Sequence, residues 1–395
     1  FNPEEYWHIF ANLIGPVPPE FEAKLQKKNG KTVKVLNEAE SKTIVEAVTN
    51  ESFVVDTVGT KARKKQAAPP YITSKLQQAS QMPVKRTMMI AQQLYEGIEL
   101  PGEDAVGLIT YMRTDSTRVS GQALTDVREH IQSAFGEAYL PAKPNIYRAK
   151  KGAQDAHEAI RPTSMEYDPD RVKPHLTKEQ FYIYRIIWNR FVASQMLPAI
   201  FDDTTVDINA GIYTFRIKGS VLKFKGWLSA YSKDVEDNSD SPGDQEGTHE
   251  DDEHTKGLLP ALNKGDTLSL KATRSEQKFT QPRPRFSEAM LVKELEENGI
   301  GRPSTYAAII GVLQSREYVA KIEGRFKPTR LGRLVTELLL KSFNDILDVE
   351  YTKALEESLD KIEGGDADYQ GTIASFYKKF EKDLERAKKA MPNIK

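Results

Sequence analysis

The sequence contains no cysteine, which excludes disulfide staples, thiolate zinc sites and a cysteine nucleophile at once. Its six histidines (His8, His130, His157, His175, His249 and His254) are scattered, and none forms the i, i+4 pair of a helical zinc site. Carboxylates do not gather in the pattern a Mg²⁺ site needs. No apolar run approaches the roughly 20 residues of a spanning helix. The opening "FNPEEYWHIF" has neither a basic n-region nor an apolar h-region. It also lacks Met and starts in mid-pattern, so the chain reads as a fragment or a processed form. No internal repeat is visible.

What is present is a chain of 395 residues, room for two or three domains, with 39% apolar and 29% charged residues. That balance suits a soluble globular protein. The formal net charge of −1 conceals an asymmetry: Asp234 to Thr255 holds ten Asp/Glu and no Lys/Arg, and setting those ten charges aside leaves +9. A basic remainder suits a polyanionic partner, although solvated charged faces would give the same count.

Along the chain, β pattern brackets a helical middle. "FEAKLQKKNGKTVKVL" alternates on either side of Asn29-Gly30, a strong hairpin signal because both residues accept positive φ. "SFVVDTVGTKARKK" reads as a further strand ending in a basic run. After "QAAPP" come two helices, "TSKLQQASQ" and "VKRTMMIAQQLYEG", the second with an apolar stripe of Met88, Met89, Ala91, Leu94 and Tyr95 and an end at Gly97. "LITYMR" reads as a strand, and further helices are expected over Gly121–Phe135 and Lys178–Met196. The β pattern resumes over Phe201–Trp227 and in "GDTLSLKATRSEQKFT". From Arg285 the chain is helical again. Ser287 is placed to cap a short helix closed by Gly299, and Ser304 or Thr305 a second one carrying Ala307, Ile309, Ile310 and Leu313. "YVAKIEGRFKPT" then turns as a hairpin at Glu323-Gly324. Two helices and a hairpin in this order have the shape of a winged-helix DNA binder.

Three clusters carry possible chemistry. In "TYMRTDST" an extended backbone would set Tyr111 and Arg113 on one face. A tyrosine hydroxyl, with a free pKa near about 10, becomes a nucleophile when cations stabilise its phenolate and the attacked group. An arginine fork suits phosphate. The motif fits phosphoryl transfer to tyrosine, and it equally fits a core tyrosine with a surface arginine. "QDAHEAIRPT" supplies Asp155, His157, Glu158 and Arg161, a set that can hold a phosphate or move a proton, or simply be structural. "GIGRPSTY" puts Arg302, Ser304 and Thr305 at a helix start, where amides favour anions; Pro303 fits an ordinary capped start as well.

Together, "LITYMRTDST", "AHEAIRPT" and "PRFSEAMLVKELEENGIGRPSTYAAII" resemble, in order, the signature segments of type IA DNA topoisomerases, and "PPYITSKLQQAS" and "VKRTMMIAQQLYEG" extend the likeness to nearly the whole chain. Met112 between the tyrosine and the arginine is as in bacterial topoisomerase I; topoisomerase III and reverse gyrase usually have Pro there. The resemblance implies a multidomain α+β fold, part of a ring in which a β arch (Phe1–Lys65 with Leu197–Thr280) carries helical, winged-helix-like domains. Of these, Gln66–Met196 would hold the tyrosine and Gln281–Lys395 would be an incomplete DNA-binding domain.

The resemblance further implies that Tyr111 attacks single-stranded DNA to form a 5′-phosphotyrosyl link and free a 3′-hydroxyl, with Arg113 and His157 stabilising the phosphate. Asp115 and Arg161 would support them. Arg302, Ser304, Thr305 and Arg316 would bind the strand's backbone, and Gln92 would touch DNA beside the tyrosine. The link conserves bond energy, so resealing needs no ATP. It implies single-stranded and negatively supercoiled duplex DNA as partners, no membrane, a monomer, and a cytoplasmic, nucleoid-associated place. In the family, Mg²⁺ is held by the acidic residues of an N-terminal TOPRIM domain, and zinc ribbons follow at the C-terminus in many members. Neither pattern occurs here, nor does the first part of the last domain, so no metal ligand is expected in this chain, and relaxation by the chain alone is not. The alternatives are a non-catalytic single-stranded nucleic-acid-binding module, with Tyr111 stacking on a base, and an enzyme like the tyrosine recombinases, which join the opposite end of the break.

Overall fold

The computed structural model of the chain describes residues 1–147, 157–231, 259–344 and 346–390. Asp155 and the acidic run 234–255 lie outside the described residues. The chain divides into two compact units, the first drawn from 1–67, 197–229 and 243–284, the second from 68–196, 230–242 and 285–395.

The first unit contains β1 (Glu5–Ile14), β2 (Phe21–Lys28), β3 (Lys31–Thr32), α1 (Glu38–Thr49), β4 (Phe53–Lys65), β5 (Ala199–Ala210), β6 (Tyr213–Phe224) and β7 (Thr267–Phe279). Neighbours pair antiparallel in the order β1-β7-β4-β5-β6-β2-β3, and β1 also pairs with β2, so six strands close on themselves. Closure happens at one end only. There β1 meets β2 over Phe10–Leu13 and Phe21–Lys24, and β4 meets β7 through Phe53 and Val54 alone. The closed end surrounds Ile9, Leu13, Phe53, Phe215, Ile44 and Val48, while the small Ala11, Ala23 and Ala210 are wholly buried. Beyond it, β1–β7 continues as a two-stranded ribbon to Glu5↔Phe279, and β4, β5 and β6 continue together to Lys65↔Ala199 and Ile200↔Phe224. The outer half of β4 is largely exposed, which suits its sequence, Lys-Ala-Arg-Lys-Lys.

The Asn29-Gly30 turn forms, with φ of 51° and 74°. Its ladder is short: Val33 N still donates to Gln26 O of β2 at 3.1 Å, but Val35 pairs with Trp7 instead. Helix α1 interrupts what the sequence pattern suggested was purely β. Its start is nonetheless written locally: Asn37 accepts from the Glu40 amide at 2.8 Å, Glu40 accepts from the Leu36 amide at 3.2 Å, and Ile44 and Val48, one turn apart, are buried.

The second unit contains α2 (Thr73–Ala79), α3 (Val84–Glu96), α4 (Gly121–Phe135), α5 (Pro169–Val172), α6 (Lys178–Ser194), α7 (Glu288–Glu297), α8 (Tyr306–Ser315), the hairpin β8 (Val319–Ile322) and β9 (Arg325–Pro328), α9 (Arg330–Phe343), α10 (Val349–Glu363) and α11 (Tyr369–Ala390). Ser287 caps α7 by accepting from the Met290 amide at 3.2 Å, and the hairpin turns at Glu323-Gly324. Val84 of α3 shares a core with Val292, Tyr306, Ile310 and Phe326, and its amide donates to Glu288 at 2.7 Å. That core ties α3 to α7, α8 and the hairpin.

Three expectations need correction here. The buried stripe of α3 is Val84, Thr87, Ile90, Ala91 and Leu94, whereas Met89 and Tyr95 are exposed. The buried set follows the helical period, with Thr87 tolerated inside because its hydroxyl bonds Ser80 at 2.8 Å. Neither Ser304 nor Thr305 caps α8 through its side chain. The Thr305 hydroxyl instead accepts from the Arg302 amide at 2.8 Å and closes the turn before the helix. Finally, "LITYMR" belongs to no strand: it makes only an isolated bridge between Ile109 and Pro162 and bends at Thr110 and Met112.

Gly226 holds the end of the β6 excursion in the first unit. Its φ is +50°, and an added Cβ would overlap the carbonyl oxygens of Leu197 and Pro198; the next residue, buried Trp227, bonds Leu197 O at 3.0 Å and Lys65 O at 2.9 Å. Gly226→Ala is expected to lower stability by about 1–3 kcal/mol, read as an earlier urea transition in tryptophan fluorescence; an unchanged transition would remove this role for the glycine.

Candidate active site

Residues 107–119 run through the second unit outside any strand, with bends at Thr110 and Met112. Backbone groups in such a segment still need partners. On one side, Thr110 N donates to Arg161 O at 2.9 Å and Thr163 N to Leu108 O at 3.1 Å. The Thr110 hydroxyl donates to Ala159 O at 2.7 Å and accepts from the Arg161 amide at 3.0 Å. On the other side stands Thr73, the first residue of α2. Its hydroxyl bonds Met112 O at 2.7 Å and Thr114 O at 3.0 Å and accepts from Thr114 N at 2.8 Å, while its own amide donates to Thr114 O at 2.9 Å. Two threonine hydroxyls thus do what neighbouring strands do in a sheet.

From Tyr111 to Ser116 successive residues alternate in burial. Met112, Thr114 and Ser116 are buried; Tyr111 and Arg113 are exposed. The shared face expected for Tyr111 and Arg113 is therefore present, although the strand is not. Both line a cleft of about 520 Å³ with Lys85, Met88, Met89 and Gln92 of α3 and Ala307 of α8. The Tyr111 ring is 39% exposed, and its centroid lies 5.4 Å from that of Tyr95, edge to face, and 6.0 Å from that of His157. Among the described residues, Arg113 and Lys85 have no counter-charge and His157 has no hydrogen bond. The charged side chains lining the cleft are thus the two cations, Lys85 and Arg113, with Glu96, the acid at the end of α3, held at its edge by Gln92; cations beside the tyrosine favour a phenolate and an attacked phosphate.

The remaining candidates are placed differently. Asp115 follows on the same face as Arg113 by parity, and its charge reaches Tyr306 of α8. Tyr306 is held up at about 12, chiefly by burial, then by Glu296 and Asp115 against the lowering effect of Arg302, so its hydroxyl stays protonated. Arg161 is tied down: its guanidinium bonds Glu158 at 2.8 Å, Pro162 O at 2.8 Å and Ser120 at 3.4 Å. Through Thr110 it braces the tyrosine segment from behind. Arg302 is held by Asp360 at 2.6 Å and Glu356 at 3.3 Å, both on α10, and the neighbouring Gly301 amide also donates to Glu356 at 3.0 Å. Ser304 and Thr305 are exposed beside it, whereas Arg316 lies at the other end of α8, roughly 15 Å along the axis. The structure therefore brings Tyr111, Arg113, His157 and Gln92 together, and Arg302, Ser304 and Thr305 together, with Ala307 one turn of helix from the second group.

Sequence reasoning missed Lys85, the two methionines as cleft wall, and the Thr73 and Thr110 struts. The methionines carried a usable signal, since Lys85, Met88, Met89 and Gln92 fall at i, i+3, i+4 and i+7 of one helix. The struts carried none, because their partners lie about 40 and 50 residues away. Among the described residues no group of three His, Asp or Glu converges to hold a metal ion. Nor is any described helix long and apolar enough to cross a membrane.

Residues 1–374 match the model of a family described as DNA topoisomerase. The fold is similar to that of full-length topoisomerase I from Thermotoga maritima, with a TM-score of 0.80 and 33% sequence identity over 97% of this chain. The match covers 59% of that protein's chain, so the present chain spans less than two thirds of its relative.

Thr73→Val keeps the shape of the side chain and removes the hydroxyl. It strands the Thr114 amide and the Met112 carbonyl, and is expected to lower unfolding stability by about 1–3 kcal/mol; Thr73→Ser, which retains the oxygen, is expected to stay close to the parent. Equal urea midpoints for all three proteins would show that the hydroxyl does not hold this segment.

Proposed function

The chain belongs to the type IA DNA topoisomerase family, and from that premise we propose that it is the part of such an enzyme that binds single-stranded DNA and supplies the nucleophile that breaks it. The observation carrying the proposal is Tyr111, half-exposed in a cleft with Arg113 and against His157, with no described carboxylate set against the two cations lining it. The Tyr111 oxygen attacks a backbone phosphorus. A P–O bond to tyrosine forms, the P–O bond to the 3′ oxygen breaks, and the proton lost by the phenol is balanced by the one the 3′ oxygen gains. Arg113 stabilises the charge on the phosphate. The His157 ring, beside that of Tyr111, is placed to bond the same phosphate or to move the proton. The resulting 5′-phosphotyrosyl link is close in energy to the diester it replaces, so the 3′-hydroxyl reseals the strand by the reverse step without ATP. Held open, the break lets another strand pass and relaxes negative supercoils.

The helix–helix–hairpin order of α7, α8, β8 and β9 supports a winged-helix-like role for residues 285–329 on the DNA. Arg302, Ser304 and Thr305 follow the bound backbone there, Arg302 exchanging its carboxylate partners for phosphate. Arg316 closes α8, where a cation also suits the helix C-terminus. Strand relaxation needs, in addition, an acidic Mg²⁺-binding half that the described residues do not contain; the family resemblance assigns it to a TOPRIM domain. In this reading the enzyme acts as a cytoplasmic monomer.

The chain alone is expected to bind single-stranded oligonucleotides, more weakly as salt rises, and to leave supercoiled plasmid unrelaxed; joined to the acidic domain it is expected to form a covalent adduct. Tyr111→Phe should abolish that adduct while leaving binding within about twofold, since only a hydroxyl is removed from an exposed ring. An adduct surviving in the Phe variant would take Tyr111 out of the reaction. Binding with no tyrosine adduct under any of these conditions would leave a non-catalytic binding module.

A further inference from the structure

We infer that the cleft beside Tyr111 is a subsite for one nucleotide of the single strand, in which Lys85 holds a backbone phosphate and Met88 and Met89 form the wall against which its base lies. The inference rests on the DNA-cleaving reading above and adds to it two kinds of contact, one to phosphate and one to base. The cleft's volume of about 520 Å³ falls in the range of small-molecule sites, about 300–1,000 Å³. Its lining is divided by chemistry: Lys85 and Arg113 supply cations, while Met88, Met89 and Ala307 supply apolar surface. A ligand that satisfies both has a flat apolar face joined to an anion, as a nucleotide does. Inorganic phosphate alone would leave the methionines in water.

Lys85 is an unusual residue for a helix to carry where it stands. It lies in the first turn of α3, which has no acidic residue there, although the helix dipole favours acids at that end and disfavours cations. Arg86, next to it, is neutralised by Glu179 of α6 at 3.1 Å; Lys85 has no such partner among the described residues. A positive charge kept at the unfavourable end of a helix, facing a second free cation across a cleft, does nothing for folding and suits a phosphate. Met89 is similar on the apolar side. It is 42% exposed while Ile90 beside it fills the core; its sulfur takes only a weak contact from Arg86 at 3.9 Å, and a polarisable thioether packs well on an aromatic face.

The test uses the full chain with two probes of equal length, oligo(dT) and an abasic oligonucleotide, titrated over a range of salt. Lys85→Ala is expected to flatten the plot of log affinity against log salt by about 0.7 with either probe, while Lys264→Ala, at an exposed site in the first unit, leaves it unchanged. Met89→Ala is expected to weaken oligo(dT) by about threefold to tenfold and the abasic probe not at all. Both substitutions are at exposed positions of a helix whose buried face is untouched, so folding is not at issue. A Lys85→Ala slope equal to that of Lys264→Ala, or a Met89→Ala loss equal for both probes, overturns the subsite while leaving the cleavage reading intact. A parent chain that binds neither probe overturns both.

Discussion

The site depends on holding one irregular piece of chain in place where there is no sheet to hold it. Such a segment has no ladder for its amides and carbonyls, and in a buried setting each needs a partner. Between Leu108 and Thr114 those partners come from a bend of chain at 159–163 and from the hydroxyls of Thr110 and Thr73. With the backbone pinned on both sides, Met112 and Thr114 go inward and Tyr111 and Arg113 outward, and neither exposed side chain is needed to hold the segment. The reacting groups are thereby positioned by residues that never touch a substrate.

The second wall is built by a different rule. Helix α3 is held by burial of Val84, Ile90, Ala91 and Leu94 and by the Val84 amide on Glu288. Once that face is inward, Lys85, Met88, Met89 and Gln92 must point into the cleft. The core that Val84 shares with Tyr306 and Ile310 also sets α8 beside it, which brings Ala307 to the cleft's edge. Tyrosine segment and helix are registered to one another through cores that contain none of the exposed cleft residues.

Much of this was legible in the sequence where the determinants are local. The Asn29-Gly30 and Glu323-Gly324 turns, the Ser287 cap and the end of α3 at Gly97 each depend on residues within a few positions, and each appears as read. The common side taken by Tyr111 and Arg113 was legible too, because it depends on residues adjacent in sequence. Misreadings arose where distant partners decide. "LITYMR" has strand composition, but a strand is defined by its neighbours, and here they are threonines from elsewhere in the chain. The stripe of α3 was read one step out of phase because Met and Tyr count as apolar, while the true inner face uses Thr87, whose hydroxyl finds a local bond. Thr305 looked like a cap by type and position, yet its oxygen closes the preceding turn on Arg302 instead.

The arginines carry the same lesson in charge. By motif, Arg113, Arg161 and Arg302 are equivalent candidates for phosphate, but their surroundings separate them. Arg161 spends its guanidinium on Glu158 and two neighbouring oxygens at a largely buried position. There the ion pair belongs to the fold, and removing one partner would leave the other uncompensated. Arg302 is held by two carboxylates yet stays a third exposed, so a polyanion competes with groups already half in water. Arg113 competes with nothing among the described residues. Local consistency is what a folding sequence ordinarily shows, and its exceptions concentrate at working sites. A pair of cations left without acids, one of them at the wrong end of a helix dipole, is such an exception. An anion in the cleft would give both cations the partner that the fold does not supply.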